Sequence, residues 1–164
     1  MTDLITKEEV IALAFQRPIS TTKIPDGLIN SIQVKHIKPA LGKDFYNAVT
    51  AAQETYDTLV DLIKPAMAAF VKFYILPEIY NDISNSGINK IPGINRAAGT
   101  NEDLGSARQI ALDQANLAMG ALTDSLKDNE TLYPLYSAGR DPNRKVEIAG
   151  GIIFATDYTE EDDE

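Results

Sequence analysis

The feature that most constrains this chain is a long run of apolar side chains between positions 56 and 83, spaced three and four residues apart. That spacing places them along one face of a single long helix, with acids and lysines mostly on the other face. The apolar face consists of Tyr56, Leu59, Ile63, Met67, Phe70, Phe73, Tyr74, Ile79, Tyr80 and Ile83. Pro65 and Pro77 lie inside the run, so we predict a break near residue 64 and a kink near residue 76.

Three helices are predicted before this one, and the first two have clear start or stop patterns. Thr6-Lys-Glu-Glu9 has the pattern of a capping box, which predicts a first helix that starts at Thr6 and ends before Pro18. A second helix begins near Asp26 and stops around Pro39–Gly42, because proline interrupts the hydrogen-bond ladder and glycine readily takes a left-handed cap.

Two more helices complete the predicted bundle. Asp44 is the expected N-cap of a helix that continues to Ala52, which forms a helical hairpin with the helix before it. The long helix should stop at Ser84–Gly87, and residues 87–101 are typical of a loop. The last helix, at roughly 102–126, carries small side chains at helical spacing that would allow another helix to approach closely. These positions are Leu104, Ala107, Ala111, Ala115, Ala118 and Leu122.

The C-terminal segment differs in character from the helices. Leu132–Tyr136 and Val146–Phe154 have strand-like content, with a turn expected at Gly139–Pro142. We therefore predict a mainly α fold: a compact bundle of about five helices, with a C-terminal extended arm or short β-hairpin. Residues 1–130 form the helical domain, and residues 131–164 form an arm and acidic tail that belongs to that domain or extends an interface.

A short hairpin is barely stable in water, so the arm should pack on the helices or add to a strand of another chain. We take the arm and the tail as the candidate interface. Its residues are Val146, Ile148, Ile152, Ile153, Phe154, Asp157, Glu160, Glu161, Asp162 and Asp163.

The charge of the chain is concentrated at its end. Of the 164 residues, 1–99 carry ten acids and ten bases, whereas 100–164 carry fourteen acids and five bases, the whole of the net charge of −9. Six of these acids lie in the last eight residues. This distribution argues against nucleic-acid binding through phosphate contacts. The tail is either a solvated end or a tether onto a basic patch of a neighbouring subunit.

Little in the sequence indicates catalysis. The absence of cysteine excludes thiolate metal sites and thiol nucleophiles, and a single histidine excludes a two-histidine metal site within one chain. We expect His36 to be a surface or boundary residue, and we expect no catalytic residue, cofactor or metal site. The chain begins without the pattern of a secretory signal, and its most apolar stretch, 65–76, is too short to span a bilayer.

Two segments resemble a known family. The first is Ile37-Lys-Pro-Ala-Leu-Gly-Lys-Asp-Phe-Tyr-Asn-Ala-Val49, and the second is Leu76-Pro-Glu-Ile-Tyr-Asn-Asp-Ile-Ser-Asn-Ser-Gly-Ile88. Together, over roughly residues 26–127, the chain resembles the small helical head–tail connector (adaptor or ring) proteins of tailed bacteriophages, most closely those of Bacteroidales and crAss-like phages. The motif positions are Pro39, Leu41, Gly42, Phe45, Tyr46, Ser84, Asn85 and Gly87.

The resemblance implies a non-enzymatic virion protein at the head–tail junction, assembled in the host cytoplasm. It would form a ring of twelve copies below the portal protein, extend the DNA channel and offer a platform to the tail or to further ring proteins. DNA would pass through the lumen without specific binding. The alternative is an acidic helical phage protein that binds or inhibits a host factor by mimicking DNA.

Overall fold

The computed structural model describes residues 3–16, 19–85, 101–138, 146–149 and 152–155. Within these ranges the chain is mainly helical, which confirms the predicted class. The α-helices are α1 (Lys7–Ala14), α2 (Leu28–Ile32), α3 (Lys38–Leu41), α4 (Lys43–Ala51), α5 (Asp57–Asn85), α6 (Asn101–Asp128) and α7 (Pro134–Ala138). Thr21–Lys23 and Gln53–Tyr56 are 3₁₀ turns, and Gln33–Ile37 is a π-helical turn between α2 and α3.

The start of α1 is the predicted capping box at Thr6. The Thr6 hydroxyl accepts from the Glu9 N–H at 3.2 Å, and the Glu9 carboxylate accepts from the Thr6 N–H at 2.8 Å. Lys64 on α5 contacts the same carboxylate at 2.9 Å, which ties α1 to α5. The backbone bond from Thr6, followed by the bond from Lys64, lowers the pKa of Glu9.

The second predicted helix is divided. It begins at Leu28, close to the predicted start near Asp26, with Gly27 as its N-cap at φ 80°, and the Asp26 carboxylate bonds the Lys7 ammonium at 2.6 Å. The π-helical turn then separates α2 from α3, because the Lys38 N–H reaches back five residues to the carbonyl of Gln33. Helix α3 ends at Leu41, within the range Pro39–Gly42 where we predict the end of the second helix.

Gly42 alone joins α3 to α4. Its φ of 80° and ψ of 157° lie in a region that is essentially restricted to glycine, not in the left-handed helical region that we predicted. The Gly42 carbonyl accepts from the Tyr46 N–H at 3.0 Å, so Gly42 is already the N-cap of α4. The prediction of Asp44 as N-cap is therefore wrong, and Asp44 lies in the first turn.

Helix α5 is uninterrupted from Asp57 to Asn85, so the break predicted near residue 64 is wrong. Pro65 cannot donate to the carbonyl of Asp61, but both residues are exposed, so water can satisfy that carbonyl. Burial of the opposite face of the helix outweighs the missing hydrogen bond. The kink expected near residue 76, beside Pro77, stays a prediction.

Helix α6 packs along α5, and this is the most extensive contact between elements in the described part of the chain. Ala111, Ala115 and Leu122 of the predicted small-residue face are fully buried. The close approach that these residues permit is therefore made within the chain, by α5. The largest fully buried side chains of the core are Tyr46, Phe45, Phe70, Leu4, Ile5, Ile24, Ile32, Ile37, Leu41, Leu59, Ile63 and Met67.

Residues 132–136 are not strand-like, which corrects our prediction for this segment. Pro134 begins the short helix α7, since its fixed φ suits the first position of a helix. The Phe45 ring of α4 contacts the rings of Tyr133 and Tyr136, with centroid distances of 5.6 Å and 6.1 Å. Tyr136 is buried in the core. This part of the C-terminal segment therefore packs on the helices.

Two strands follow, β1 (Val146–Ala149) and β2 (Ile152–Ala155). They pair antiparallel, with Val146 opposite Ala155 and Ala149 opposite Ile152. This is not the hairpin that we predicted, because the segment Val146–Phe154, expected as one strand, is divided into two strands that pair with each other. The turn expected at Gly139–Pro142 lies outside the described residues. β1 and β2 together form a two-stranded sheet.

Candidate interface surfaces

The first motif builds the core and is not an exposed site. Leu41, Phe45 and Tyr46 are buried, Gly42 forms the corner, and Pro39 is half-buried in the first turn of α3. These five residues therefore hold α3 and α4 at a fixed angle against the rest of the bundle.

A buried hydrogen-bond chain supports that corner. The Gln33 side chain donates to the Tyr46 hydroxyl at 2.8 Å and accepts from the backbone N–H of Leu4 at 2.9 Å. Gln33 is itself fully buried, in the π-helical turn. The amide thus joins three parts of the chain, since a buried polar group is tolerated where its bonds are made.

The second motif lies at the end of α5. Ser84 and Asn85 are the last two residues described for this helix, so the predicted stop stays a prediction. Gly87 lies outside the described residues.

The candidate interface of the arm is described only in its backbone. Val146 and Ile148 belong to β1, and Ile152, Ile153 and Phe154 belong to β2. Ile148 is opposite Ile153, and Phe154 is opposite Glu147. The tail acids Asp157, Glu160, Glu161, Asp162 and Asp163 lie outside the described residues. The role of the arm as an interface stays a prediction.

His36 is buried, only 3% exposed, so the prediction of a surface or boundary residue is wrong. Its ring lies against Phe70 of α5, and its Nε2 is 3.2 Å from the Tyr74 hydroxyl. Burial, and then the charge of Lys35, lowers the pKa of His36 to about 4. A neutral imidazole can accept from Tyr74, which in turn accepts from the Lys35 ammonium at 2.8 Å.

This arrangement makes His36 a packing residue of the core. The described ranges contain no group of three or more histidine or acidic residues that could hold a metal ion. Among the helices that the structure describes, none is both long and apolar enough to cross a membrane.

A surface that the sequence did not reveal extends across α5. The Arg108 guanidinium carbon lies 4.5 Å from the centre of the Phe73 ring, Phe73 and Tyr74 meet edge to face at 5.2 Å, and the Lys35 ammonium lies 5.1 Å from the centre of the Tyr74 ring. We call Lys35, Phe73, Tyr74 and Arg108 the cation–aromatic patch. Its two cations are 73 positions apart in the chain, so no local motif could indicate it.

Several large apolar side chains are exposed on other elements. Leu117 is 77% exposed and Ile110 lies two turns before it on α6, while Leu132, 68% exposed, and Leu135 lie before and within α7. Single exposed leucines are ordinary. Here the exposed apolar side chains form two pairs, one on α6 and one at α7. We call Ile110 and Leu117 the α6 surface, and Leu132 and Leu135 the α7 surface.

These features describe a helical protein whose motif residues are structural and whose distinctive surfaces are apolar or cationic. The chain belongs to a family of unknown function (DUF6712), whose model matches residues 37–145. The match begins at the first residue of the first motif, includes the second motif and ends before β1. No curated protein and no solved structure matches the chain.

Proposed function

We propose that this chain is a non-enzymatic structural subunit of a tailed-bacteriophage particle, a head-to-tail connector. Twelve copies would form a ring below the portal protein, extend the DNA channel and provide the platform for the tail or for further ring proteins. The resemblance of the two motif segments to connector proteins suggests this class.

The observation that carries the proposal is the presence of two apolar surfaces on different elements. In a closed ring each copy uses one surface toward the preceding copy and a different surface toward the next. The α6 surface and the α7 surface meet this requirement, with Leu117 and Leu132 as their most exposed members. Burying each leucine in a neighbour would contribute about 1.5–3 kcal/mol.

The charge distribution supports the same proposal. A protein that contacts DNA phosphates specifically needs a basic surface, whereas this chain carries a net charge of −9. A ring of such subunits would let DNA pass through its lumen without adhesion. Assembly would take place in the host cytoplasm, and the finished ring would remain at the head–tail junction of the virion.

The decisive experiment is a copy count in purified particles. Mass spectrometry with labelled peptide standards should find the chain at a ring stoichiometry relative to the portal protein, and mild disruption should release the two together. Absence from particles would overturn the proposal. If the chain were absent from particles and competed with DNA for a host protein, the acidic host-factor inhibitor would be the correct function.

Leu117→Glu and Leu132→Glu test the two surfaces during infection, when the variant chain must replace the natural one. Each should lower incorporation into particles, because it places a charge in a contact that excludes water. Gln114→Glu is the matched control, since it adds the same charge to an exposed position of α6. Normal incorporation of both leucine variants would show that neither surface is a ring contact.

A further inference from the structure

We infer that the cation–aromatic patch is the docking surface for the acidic tail, residues 157–164, of a second copy of this chain. The inference deepens the proposed function and rests on it, because the ring is what brings a second copy beside the patch. It answers the question that the sequence leaves open, between a solvated tail and a tail tethered to a neighbouring subunit.

The two cations of the patch are available to bind carboxylates. In the part of the chain that the structure describes, neither Arg108 nor Lys35 has a carboxylate within ion-pair distance. Within the described residues the Arg108 Nε is buried without a hydrogen-bond acceptor, so a carboxylate from another copy would bind the terminal Nη groups of the guanidinium. An arginine held over an aromatic ring keeps its planar fork in a fixed position, so little entropy is lost when a carboxylate binds it.

Lys35 has the same capacity on the other side of the aromatic pair. Its ammonium has three N–H donors, and the bond to the Tyr74 hydroxyl uses one of them. By contrast, Lys7, Lys64 and Lys127 each have a carboxylate partner within their own chain. Lys38 and Lys72 also lie over aromatic rings, those of Tyr46 and Phe15. The patch differs from them because it places two cations over one contacting pair of rings.

Charge complementarity identifies the occupant. The tail carries six carboxylates in eight residues, whereas the first 99 residues, which supply Lys35, Phe73 and Tyr74, have no net charge. A contact between oppositely charged segments of two copies would also fix the order of subunits in a ring, since like charges repel. DNA phosphates are the other chemistry that could occupy the patch, but the strongly negative chain disfavours them.

The test is zero-length cross-linking of the full chain. Equal amounts of ¹⁴N- and ¹⁵N-labelled protein are mixed at high concentration and treated with a carbodiimide, which joins lysine amines directly to carboxylates. We expect peptide pairs that join Lys35 to residues 157–164 and carry mixed labels. Lys43 is the internal control, because it is exposed, has no ion pair in the described chain and lies outside the patch.

Substitution of the other cation provides the second measurement. Arg108→Gln should lower the Lys35–tail yield about tenfold, as expected for the loss of one charge-assisted hydrogen-bonded pair, and Arg108→Lys should lower it less. If Arg108→Gln reduces helical content, a salt titration of the unaltered chain decides instead. The yield must then fall as sodium chloride rises.

Each other outcome overturns the inference. Lys35–tail pairs with a single label would place the tail on its own chain, and equal yields at Lys35 and Lys43 would mean random contact. Absence of tail cross-links at Lys35, or binding of a labelled DNA duplex that Arg108→Gln abolishes, would exclude the tail as occupant. The copy count in particles is measured independently of these cross-links, so a failed docking test leaves the connector proposal standing, and the two failures can be told apart.

Discussion

The imidazole of His36 lies parallel to the ring of Phe70, with centroids 3.9 Å apart and planes inclined by 10°. The stack is buried, and its hydrogen-bond partner is the Tyr74 hydroxyl, so the structure accommodates a neutral histidine. A proton added to this ring would introduce a charge beside Lys35 in a site that excludes water.

Stability is therefore expected to fall in mild acid. The folded pKa of His36, about 4, lies below the unfolded value of 6.5, so the unfolded chain takes up the proton first. The contribution is complete above pH 6.5 and is lost as the pH falls toward 4, by about 2 kcal/mol at pH 5 and about 3 kcal/mol at pH 4. Urea unfolding at pH 7, 5 and 4 measures this loss.

The control for this prediction is His36→Phe, which keeps an aromatic ring against Phe70 but cannot titrate. Other groups also respond to acid, since the pKa of Asp26 is lowered by its bond to Lys7 and that of Glu9 by its bonds at the start of α1. The difference between the two proteins isolates His36. Parallel loss of stability in both would contradict the prediction.

Gly42→Val is expected to destabilise the fold by about 2–3 kcal/mol. Its φ of 80° and ψ of 157° are strained for any residue with a Cβ, and more so for a β-branched one. Gly120→Ala is the control, because a Cβ there meets nothing within 4 Å and alanine stabilises a helix by about 0.5–1 kcal/mol. Thermal unfolding should move in opposite directions for the two variants.

Gln33→Met should cost about 2 kcal/mol, since it removes the acceptor of the buried Leu4 N–H and a donor to Tyr46. The same substitution at Gln109, which is exposed and bonds Asp113, should change stability by less than about 0.5 kcal/mol. Chemical denaturation of both variants makes the comparison. Equal small effects would mean that the buried amide contributes little to the corner.

Tyr136→Ala tests whether α7 belongs to the helical core. Its buried ring packs on Phe45, so truncation should cost about 3–4 kcal/mol. The adjacent Leu135 is exposed, and Leu135→Ala should cost less than about 1 kcal/mol. Calorimetric unfolding distinguishes the two, and a mild effect of Tyr136→Ala would place α7 outside the cooperative unit.

Removal of residues 140–164 is expected to leave the helical core folded while abolishing docking to the portal protein and to other copies. The cut falls after α7, so Tyr136 and its contacts remain. Circular dichroism reports the helical content, and pull-down with the portal protein reports docking. Unfolding of the shortened chain would instead make the arm an integral part of the domain.

Local patterns predicted those features that depend on neighbouring residues. Thr6 and Glu9 form the predicted capping box because both groups lie within one turn. The buried positions Ala111, Ala115 and Leu122 of α6 followed from small residues at helical spacing. The class of the fold required only such periodicity.

Features that depend on distant contacts escaped prediction. Proline normally interrupts a helix. Pro65 lies on the exposed side of α5, so the helix loses little stability beyond that of one hydrogen bond. His36 lies between a lysine and an isoleucine in sequence, and its burial depends on contacts with the distant Phe70 and Tyr74 of α5. Residues 132–136 look β-like by composition, yet packing against Phe45 and the proline at position 134 favour a helix. The cation–aromatic patch is assembled from three separate elements for the same reason.

The connection between α3 and α4 at Gly42 has no spare residues. One residue is at once the end of α3 and the beginning of α4, so no linker exists that could absorb a change in length. An insertion beside it would turn the following helix by about 100°, carrying Phe45 and Tyr46 away from the core. Length differences among members of this family are therefore expected elsewhere, and the spacing from Leu41 to Tyr46 should be constant.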